Sequence, residues 1–239
     1  MQQEPNSSVA AHRASSEARA AESRGAYPWR EALAWMLLLG LLFIVGYSVT
    51  NRWAATRPHA FSLHGAWDDW IPFLSWTIWP YLSLNAIFPV TFFAFDDVRS
   101  LRRHAMRIAA VQLACFALFS MFPSVNVRPL QHPDGVSGML FAQLHAFERP
   151  FNMFPSLHAA VLLLVWRAWL PRMHDRSGRA RPGVRMLWDG WCLLILLSTL
   201  TTWQHDLIDI AAGLGLGLLA LAIWPMGPGG QRPAGDMRR

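Results

Sequence analysis

The feature that most constrains this chain is a series of six long, apolar and largely uncharged stretches. They cover about residues 32–50, 70–95, 108–123, 153–171, 186–203 and 206–225. Each is close to the roughly 20 residues that a helix needs to cross the hydrocarbon core of a bilayer. Arg167 and Asp189 interrupt the fourth and fifth stretches, but each lies near one end, where its side chain can reach the interface. The sequence therefore predicts an all-α fold, a six-span transmembrane helical bundle.

The composition supports a membrane domain with short polar tails. Hydrophobic residues make up 53% of the chain and charged residues only 15%, whereas soluble domains usually carry about a quarter charged residues. We expect one transmembrane domain over residues 27–225. Residues 1–26 lack apolar periodicity and residues 226–239 are rich in Gly, Pro and Arg, so both are predicted to be disordered cytoplasmic tails.

The positive charges alternate along the chain. All basic residues are arginines, and they cluster before the first span, in the second and fourth connections and after the last span. The other connections hold only Arg52, Arg57, Arg128 and Arg149. This is the positive-inside pattern, which predicts cytoplasmic termini and outward-facing first, third and fifth connections. The distribution argues against a nucleic-acid partner, despite a net charge of +6. We expect an integral protein of a bacterial inner membrane.

Unusual polar residues collect on the predicted outward side, next to the third, fourth and sixth spans. They are Arg128, then Asn152, Ser156 and His158 in FNMFPSLHAA, then His205 and Asp209 in QHDLID. Ser156 is also a good N-cap for the fourth helix. A role as N-cap and a role in binding an anion are compatible for Ser156, because the start of a helix is itself an anion site. Ionisable groups at membrane depth are costly and usually functional.

The spacing of these residues indicates phosphoryl transfer. His205 and Asp209 are four residues apart and share a helix face, so the carboxylate can orient a nucleophilic imidazole. His158 can protonate a leaving oxygen, and the planar fork of Arg128 suits phosphate oxygens. Ser156 and the helix start add an anion site, and positioning with charge stabilisation dominates this chemistry. No set of Asp, Glu and His has metal-ligand spacing, so we expect no metal and no cofactor.

These motifs resemble a known family. PSLH, followed about fifty residues later by QHxxxD and preceded by an Arg-Pro pair, resembles the type 2 phosphatidic acid phosphatase superfamily. Two positions, Leu157 in PSLH and Gln204 before His205, more closely resemble the motifs of one branch of this superfamily. That branch comprises the inositol phosphorylceramide synthases and sphingomyelin-synthase-like phosphotransferases. The resemblance covers roughly residues 30–225. It implies that His205 becomes a phosphohistidine supported by Asp209, that His158 is the general acid, and that Ser156 and Arg128 hold phosphate. We place Asn152 with the phosphate-binding candidates.

The chain departs from the family pattern at three positions. Met121 stands where the hydrolase branch has a Lys, and Thr199 where it has an Arg. Asp206 stands where the transferase-like branch often has a Tyr. Two of three phosphate-binding cations are therefore missing, which favours the transferase-like branch. The sequence leaves open whether Arg149, His132 or His145 compensates.

Two other interpretations stay open. A non-catalytic or degenerate relative would explain the missing cations. A haem bound by His158 and His205 would leave Arg128 and Asp209 without a role. The GLGLG run at 213–217 lies within a predicted span and follows no strand, so it indicates a small-residue packing face and not a nucleotide loop.

The expected activity is that of a metal-independent lipid phosphatase or phosphotransferase acting at the outer membrane face. The residues leave the substrate open among phosphatidate, an isoprenoid phosphate and a phospholipid headgroup donor. They also leave open whether water or an alcohol is the acceptor. The partners are then the lipid substrate and the surrounding membrane lipids, and the sequence carries no signal for an oligomeric state.

Overall fold

The regular structure of the chain is helical. A computed structural model describes residues 28–173, 179 and 181–225. In chain order its helices are α1 (Trp29–Ala55), α2 (Ile78–Thr91), α3 (Val98–Met121), α4 (Gly135–Phe147), α5 (Leu157–Trp169), α6 (Pro182–Thr201) and α7 (Leu207–Ile223). The described residues contain no β-strand and only two isolated bridges, Phe61 to Ser124 and Val125 to Phe151. The predicted all-α class is confirmed; the predicted tails, 1–26 and 226–239, lie outside the described residues.

Three helices are long and apolar enough to cross a membrane, namely α1, α3 and α6. The apolar helix α7 has 17 residues, whereas α2 has 14 and α5 has 13. At a rise of about 1.5 Å per residue, the latter two are roughly 20 Å long, less than the ~30 Å hydrocarbon core. Each of the six predicted stretches contains one helix. The predicted span at 70–95 is shortened because its outer part forms 3₁₀ turns, of which Ser75–Thr77 leads into α2.

Helix α4 was not predicted. It lies within residues 124–152, which the sequence analysis treated as the connection between the third and fourth predicted spans. Its Phe141 and Leu144, three residues apart, are buried against residues at the start of α2. The apolar periodicity was therefore present, but it was short and flanked by turn residues.

The helices meet at two ends of the bundle. Arg102 forms an ion pair with Glu31, and the Arg107 guanidinium donates to the carbonyl of Trp224. These contacts bring together the starts of α1 and α3 and the end of α7. At the other end, the Asn51 side chain donates to the carbonyl of Arg149 at 3.1 Å, which joins the end of α1 to the residues between α4 and α5. We call this second end the site end.

Helix α7 packs closely on α5 through glycines. A Cβ atom at Gly213 would lie 2.2 Å from the carbonyl oxygen of Ser156, and one at Gly217 would lie 3.0 Å from that of Ala160. Both glycines are buried. The predicted small-residue packing face is confirmed. It holds α7, which begins just after His205, close to α5, which carries His158.

Candidate active site

Ser156 begins α5 and links it to α7. Its Oγ accepts the backbone N–H of Ala159 at 3.2 Å, which confirms the predicted N-cap. Its own N–H donates to the backbone carbonyl of Asp209 at 2.9 Å. Ser156 is fully buried and does not line the cavities described below. Its proposed contact with phosphate stays a prediction.

A capping box fixes the start of α7. The Asp206 side chain accepts the backbone N–H of Asp209, and Asp209 Oδ2 accepts the N–H of Asp206 at 3.0 Å. The same Oδ2 lies 3.7 Å from Nδ1 of His205, which is longer than a hydrogen bond. The carboxylate thus faces Nδ1 of the ring, and Nε2 is the nitrogen left for other chemistry.

His158 and His205 line one cavity of about 270 Å³. Most of its wall is apolar and comes from four helices, with Phe43 on α1, Leu84 on α2, Leu144 on α4 and Val161 on α5. Its size is close to the ~300 Å³ lower limit of typical ligand pockets. The structure therefore brings the two predicted catalytic histidines to the wall of a largely apolar space.

The His158 ring is held by stacking. It lies against the Tyr81 ring with centroids 4.4 Å apart and planes 10° apart. Its Nε2 is buried and has no hydrogen-bond partner among the described residues. The ring is thus fixed in orientation, and a nitrogen is left for a ligand.

A second, smaller space of about 30 Å³ adjoins the apolar cavity. The two share five wall residues, which are Tyr47, Tyr81, Glu148, Asn152 and His205. The smaller space adds polar groups, including His145, Arg149 and Gln204. His205 therefore lies where a small polar space meets a larger, mostly apolar one.

Asn152 anchors the loop before α5. Its backbone has φ of 64°, in the left-handed region that Asn tolerates. Its Nδ2 donates to the carbonyl of Tyr47 at 3.2 Å and to Thr50 Oγ1 at 3.0 Å. Its Oδ1 is buried and has no partner within the described part of the chain. The free group at Asn152 is thus an acceptor, which suits a hydroxyl better than an anionic phosphate oxygen.

The sequence analysis missed Glu148. This residue caps the end of α4 and lines both cavities. Burial raises the pKa of its carboxyl to about 7, and the nearby His205 opposes part of that shift. The only signal in the sequence was a Glu that directly precedes Arg149 in a connection predicted to face outward.

Arg128 lies in a network of acidic residues. Its guanidinium is 3.3 Å from Asp206 Oδ1 and 4.0 Å from Asp68 Oδ1, and it donates to the Asp68 carbonyl at 2.7 Å. His64 contacts Asp206 at 3.0 Å and Asp69 at 2.9 Å. These carboxylates, first Asp69 and then Asp206, raise the pKa of His64. Arg128 does not line either cavity, and its predicted contact with phosphate stays a prediction.

The same network contains a candidate cation site that the spacing of residues did not show. One potential ligand atom each from His64, Asp68 and Asp206 lies within 4.8 Å of the others. Both ring nitrogens of His64 already contact carboxylates, and Arg128 supplies a positive charge beside Asp206. These potential ligands are thus already paired with other protein groups, so the cluster fits a structural link better than a metal centre.

No family model, curated protein or solved structure matches the chain. The resemblance to type 2 phosphatidic acid phosphatases stays a prediction from the motifs around His158 and His205. These two residues, 47 positions apart along the chain, line one cavity.

Proposed function

We propose that this protein is a metal-independent lipid phosphatase or phosphotransferase, similar to the inositol phosphorylceramide synthase and sphingomyelin-synthase-like branch of the type 2 phosphatidic acid phosphatase superfamily. One observation carries the proposal: His158 and His205 share the wall of a largely apolar cavity, and Asp209 lies behind His205. A phosphate ester with an apolar chain is the ligand class that such a site fits.

The first half-reaction uses both histidines. His205 Nε2 attacks phosphorus, the P–O bond to the leaving group breaks, and His158 gives its proton to the leaving oxygen. Asp209 faces the other ring nitrogen of His205, so it orients the ring and compensates the charge of the phosphohistidine. The sequence predicted phosphate contacts from Arg128, Ser156 and Asn152, but the first two line neither cavity and the free atom of Asn152 is an acceptor.

The second half-reaction regenerates the enzyme. Water or an alcohol attacks the phosphohistidine, the P–N bond breaks, and His158 accepts the proton of the attacking hydroxyl. The unpartnered Oδ1 of Asn152 lines the cavity and can accept a hydrogen bond from that hydroxyl. This acceptor supports an alcohol or water bound beside His205.

The proposed membrane placement has six spans, cytoplasmic termini and an outward-facing site in a bacterial inner membrane. The arginine distribution supports it, as do the contacts that bring the start of α1 and the end of α7 to the end of the bundle opposite the site end. In this placement, the short helices α2 and α5 span the membrane together with the turns that flank them, and the bilayer thins locally around them.

The decisive experiment is phosphoenzyme trapping. Purified protein is mixed with a ³²P-labelled lipid phosphate, with and without acceptor alcohols, and the protein and lipid products are separated. We expect acid-labile, base-stable label on the wild-type protein and none on His205→Ala. Undiminished labelling of His205→Ala would assign the nucleophile to another residue.

A panel of lipids extends this experiment to the substrate. Phosphatidate, an isoprenoid phosphate and a phospholipid headgroup donor are compared by release of phosphate and by headgroup exchange. Activity toward any of them that requires His205 supports the proposal. Neither phosphate release nor exchange with any lipid would identify a non-catalytic relative.

A further inference from the structure

The proposed reaction needs a cation beside the substrate phosphate, and two positions that supply one in the related hydrolases are Met121 and Thr199 here. Met121 is exposed, and Thr199 is buried with its hydroxyl bonded to the carbonyl of Leu196. Neither side chain can replace a guanidinium or an ammonium. The charge must come from another residue near His205.

Arg128 is already committed to other groups. Its side chain is only 7% exposed and is held by Asp68 and Asp206, with an additional contact to the Trp203 ring at 5.3 Å. Its Nη1 is buried without a hydrogen-bond partner among the described residues, but Arg128 lines neither cavity. To reach a phosphate beside His205, the guanidinium would have to move its charge away from the carboxylates of Asp68 and Asp206, which is unfavourable. This network neutralises Arg128 before any substrate arrives.

Arg149 is in the opposite situation. Arg149 is exposed, and its guanidinium makes no hydrogen bond or ion pair with any residue that the structure describes. The residue contributes to the wall of the small polar space together with His205. Its backbone is nevertheless fixed, because Asn51 accepts from the N–H of Arg149 and donates to its carbonyl, both at 3.1 Å. A free side chain on a fixed backbone suits the capture of an anion.

Two other residues that line the small space can also donate hydrogen bonds to a bound anion. His145 lines it, and its Nδ1 is buried without a partner among the described residues. The Glu148 carboxyl also lines it and, when protonated, can donate a hydrogen bond. The space of about 30 Å³ admits only groups the size of a few oxygen atoms. The acyl or isoprenoid part of a ligand must then occupy the larger apolar cavity.

We propose that Arg149 is the cation that binds the substrate phosphate, with His145 beside it, and that phosphate occupies the small space next to His205. This inference rests on the proposed function for the identity of the substrate, a lipid phosphate. It assigns to Arg128 the separate task of holding the loop around Asp68 onto the start of α7.

The test measures binding of orthovanadate to the purified full-length protein in detergent, by the shift of the thermal unfolding midpoint. The variants are Arg149→Gln, Arg149→Lys and Arg52→Gln. Arg52 is a matched control, because it is an exposed arginine at the site end that lines neither cavity. Arg149→Gln should keep the unliganded midpoint, since the bonds to Asn51 involve only the backbone of Arg149.

We expect Arg149→Gln to weaken vanadate binding by roughly 10- to 100-fold, the range for loss of a charge-assisted hydrogen bond. Arg149→Lys should restore part of the affinity, because it keeps the charge but loses the planar fork. Arg52→Gln should bind like the wild type. In turnover, Arg149→Gln should raise KM more than it lowers kcat.

The outcomes separate this inference from the proposed function. Equal vanadate affinity of Arg149→Gln and wild type, or no vanadate binding by wild type, would overturn the assignment of Arg149. Turnover of lipid with an unchanged KM in Arg149→Gln would also overturn it and leave the proposed function standing. Arg149-dependent vanadate binding without turnover of any lipid would support the anion site and refute the enzyme.

Discussion

The backbone N–H of Ser156 donates to the backbone carbonyl of Asp209 at 2.9 Å. This bond joins the first residue before α5 to the first turn of α7, so His158 and His205 are positioned by two helices that are linked at their starts. The close approach of Gly213 to the carbonyl of Ser156 lies one helical turn below this bond. A displacement of either helix should therefore change the geometry between the two histidines.

Gly213→Ala should lower both stability and activity. A Cβ at this position would lie 2.2 Å from a backbone oxygen, so α7 must move away from α5. Overpacking of this kind reduces the free energy of unfolding by about 1–3 kcal/mol. The measurement is thermal unfolding of the purified protein together with turnover of the lipid substrate.

Gly215→Ala is the matched control, because nothing lies within 4 Å of a Cβ there. It should stabilise the helix by about 0.5–1 kcal/mol, the usual gain over Gly in a helix interior. If Gly213→Ala behaved like Gly215→Ala, the close contact between α5 and α7 would not control the site.

Asp209→Asn and His158→Ala should differ in their dependence on the leaving group. Asp209→Asn should slow formation of the phosphoenzyme with every substrate, because the neutral amide no longer compensates the charge of His205. His158→Ala should slow esters of poor leaving groups by roughly 10²–10⁴-fold and esters of good ones much less. Single-turnover rates with a series of leaving groups measure this difference, and identical profiles would remove His158 from its role as the acid.

The pH profile should depend on Glu148. Its pKa, raised to about 7 by burial, leaves the carboxyl protonated in weakly acidic solution and ionised above neutral pH. The ionised form repels a phosphate in the small space, so affinity should fall as pH rises through 7. The other titratable groups on the cavity walls are Tyr47, Tyr81, His145, Arg149, His158 and His205.

Glu148→Gln provides the comparison, since the amide cannot ionise and the substrate titrates identically in both assays. The ratio of KM between wild type and Glu148→Gln should rise from pH 6 to pH 8. A constant ratio across that interval would show that Glu148 does not titrate in the site.

Chelation should leave activity intact. The nucleophile is an imidazole, and the carboxylates of Asp68 and Asp206 already face Arg128. Turnover and the unfolding midpoint should be unchanged by EDTA and by added Mg²⁺ or Ca²⁺. Loss of turnover in EDTA that Mg²⁺ restores would instead assign the cluster of His64, Asp68 and Asp206 to a metal.

Thiol labelling should establish the topology. Val136→Cys, on the exposed face of α4, should react with an impermeant thiol reagent in intact cells, whereas Gly183→Cys, at the start of α6, should react only after permeabilisation. Cys115 and Cys192 are fully buried and should give little background. Reversed labelling would place the site on the cytoplasmic side.

Local patterns predicted the helical class, the cap at Ser156 and the small-residue face at Gly213 and Gly217, because each is set by residues within a few positions of one another. The expectation that His205 and Asp209 share a helix face was wrong, since His205 precedes α7 and faces Asp209 across the cap at Asp206. The network of His64 with Asp206 could not be predicted, since the two residues are 142 positions apart and meet only after the loop before α2 folds over α7. Glu148 was missed because its location depends on α4, whose signal was short and bounded by glycines.

The arrangement of the cavity also sets an order of assembly for the proposed site. Helix α1 contributes Phe43 and Tyr47 to the wall, whereas His205, the proposed nucleophile, precedes α7, the last helix among the described residues. During synthesis, the apolar wall residues of α1 therefore leave the ribosome well before His205. Because the glycine face of α7 packs against α5, we expect the proposed chemistry to begin only after α7 has inserted.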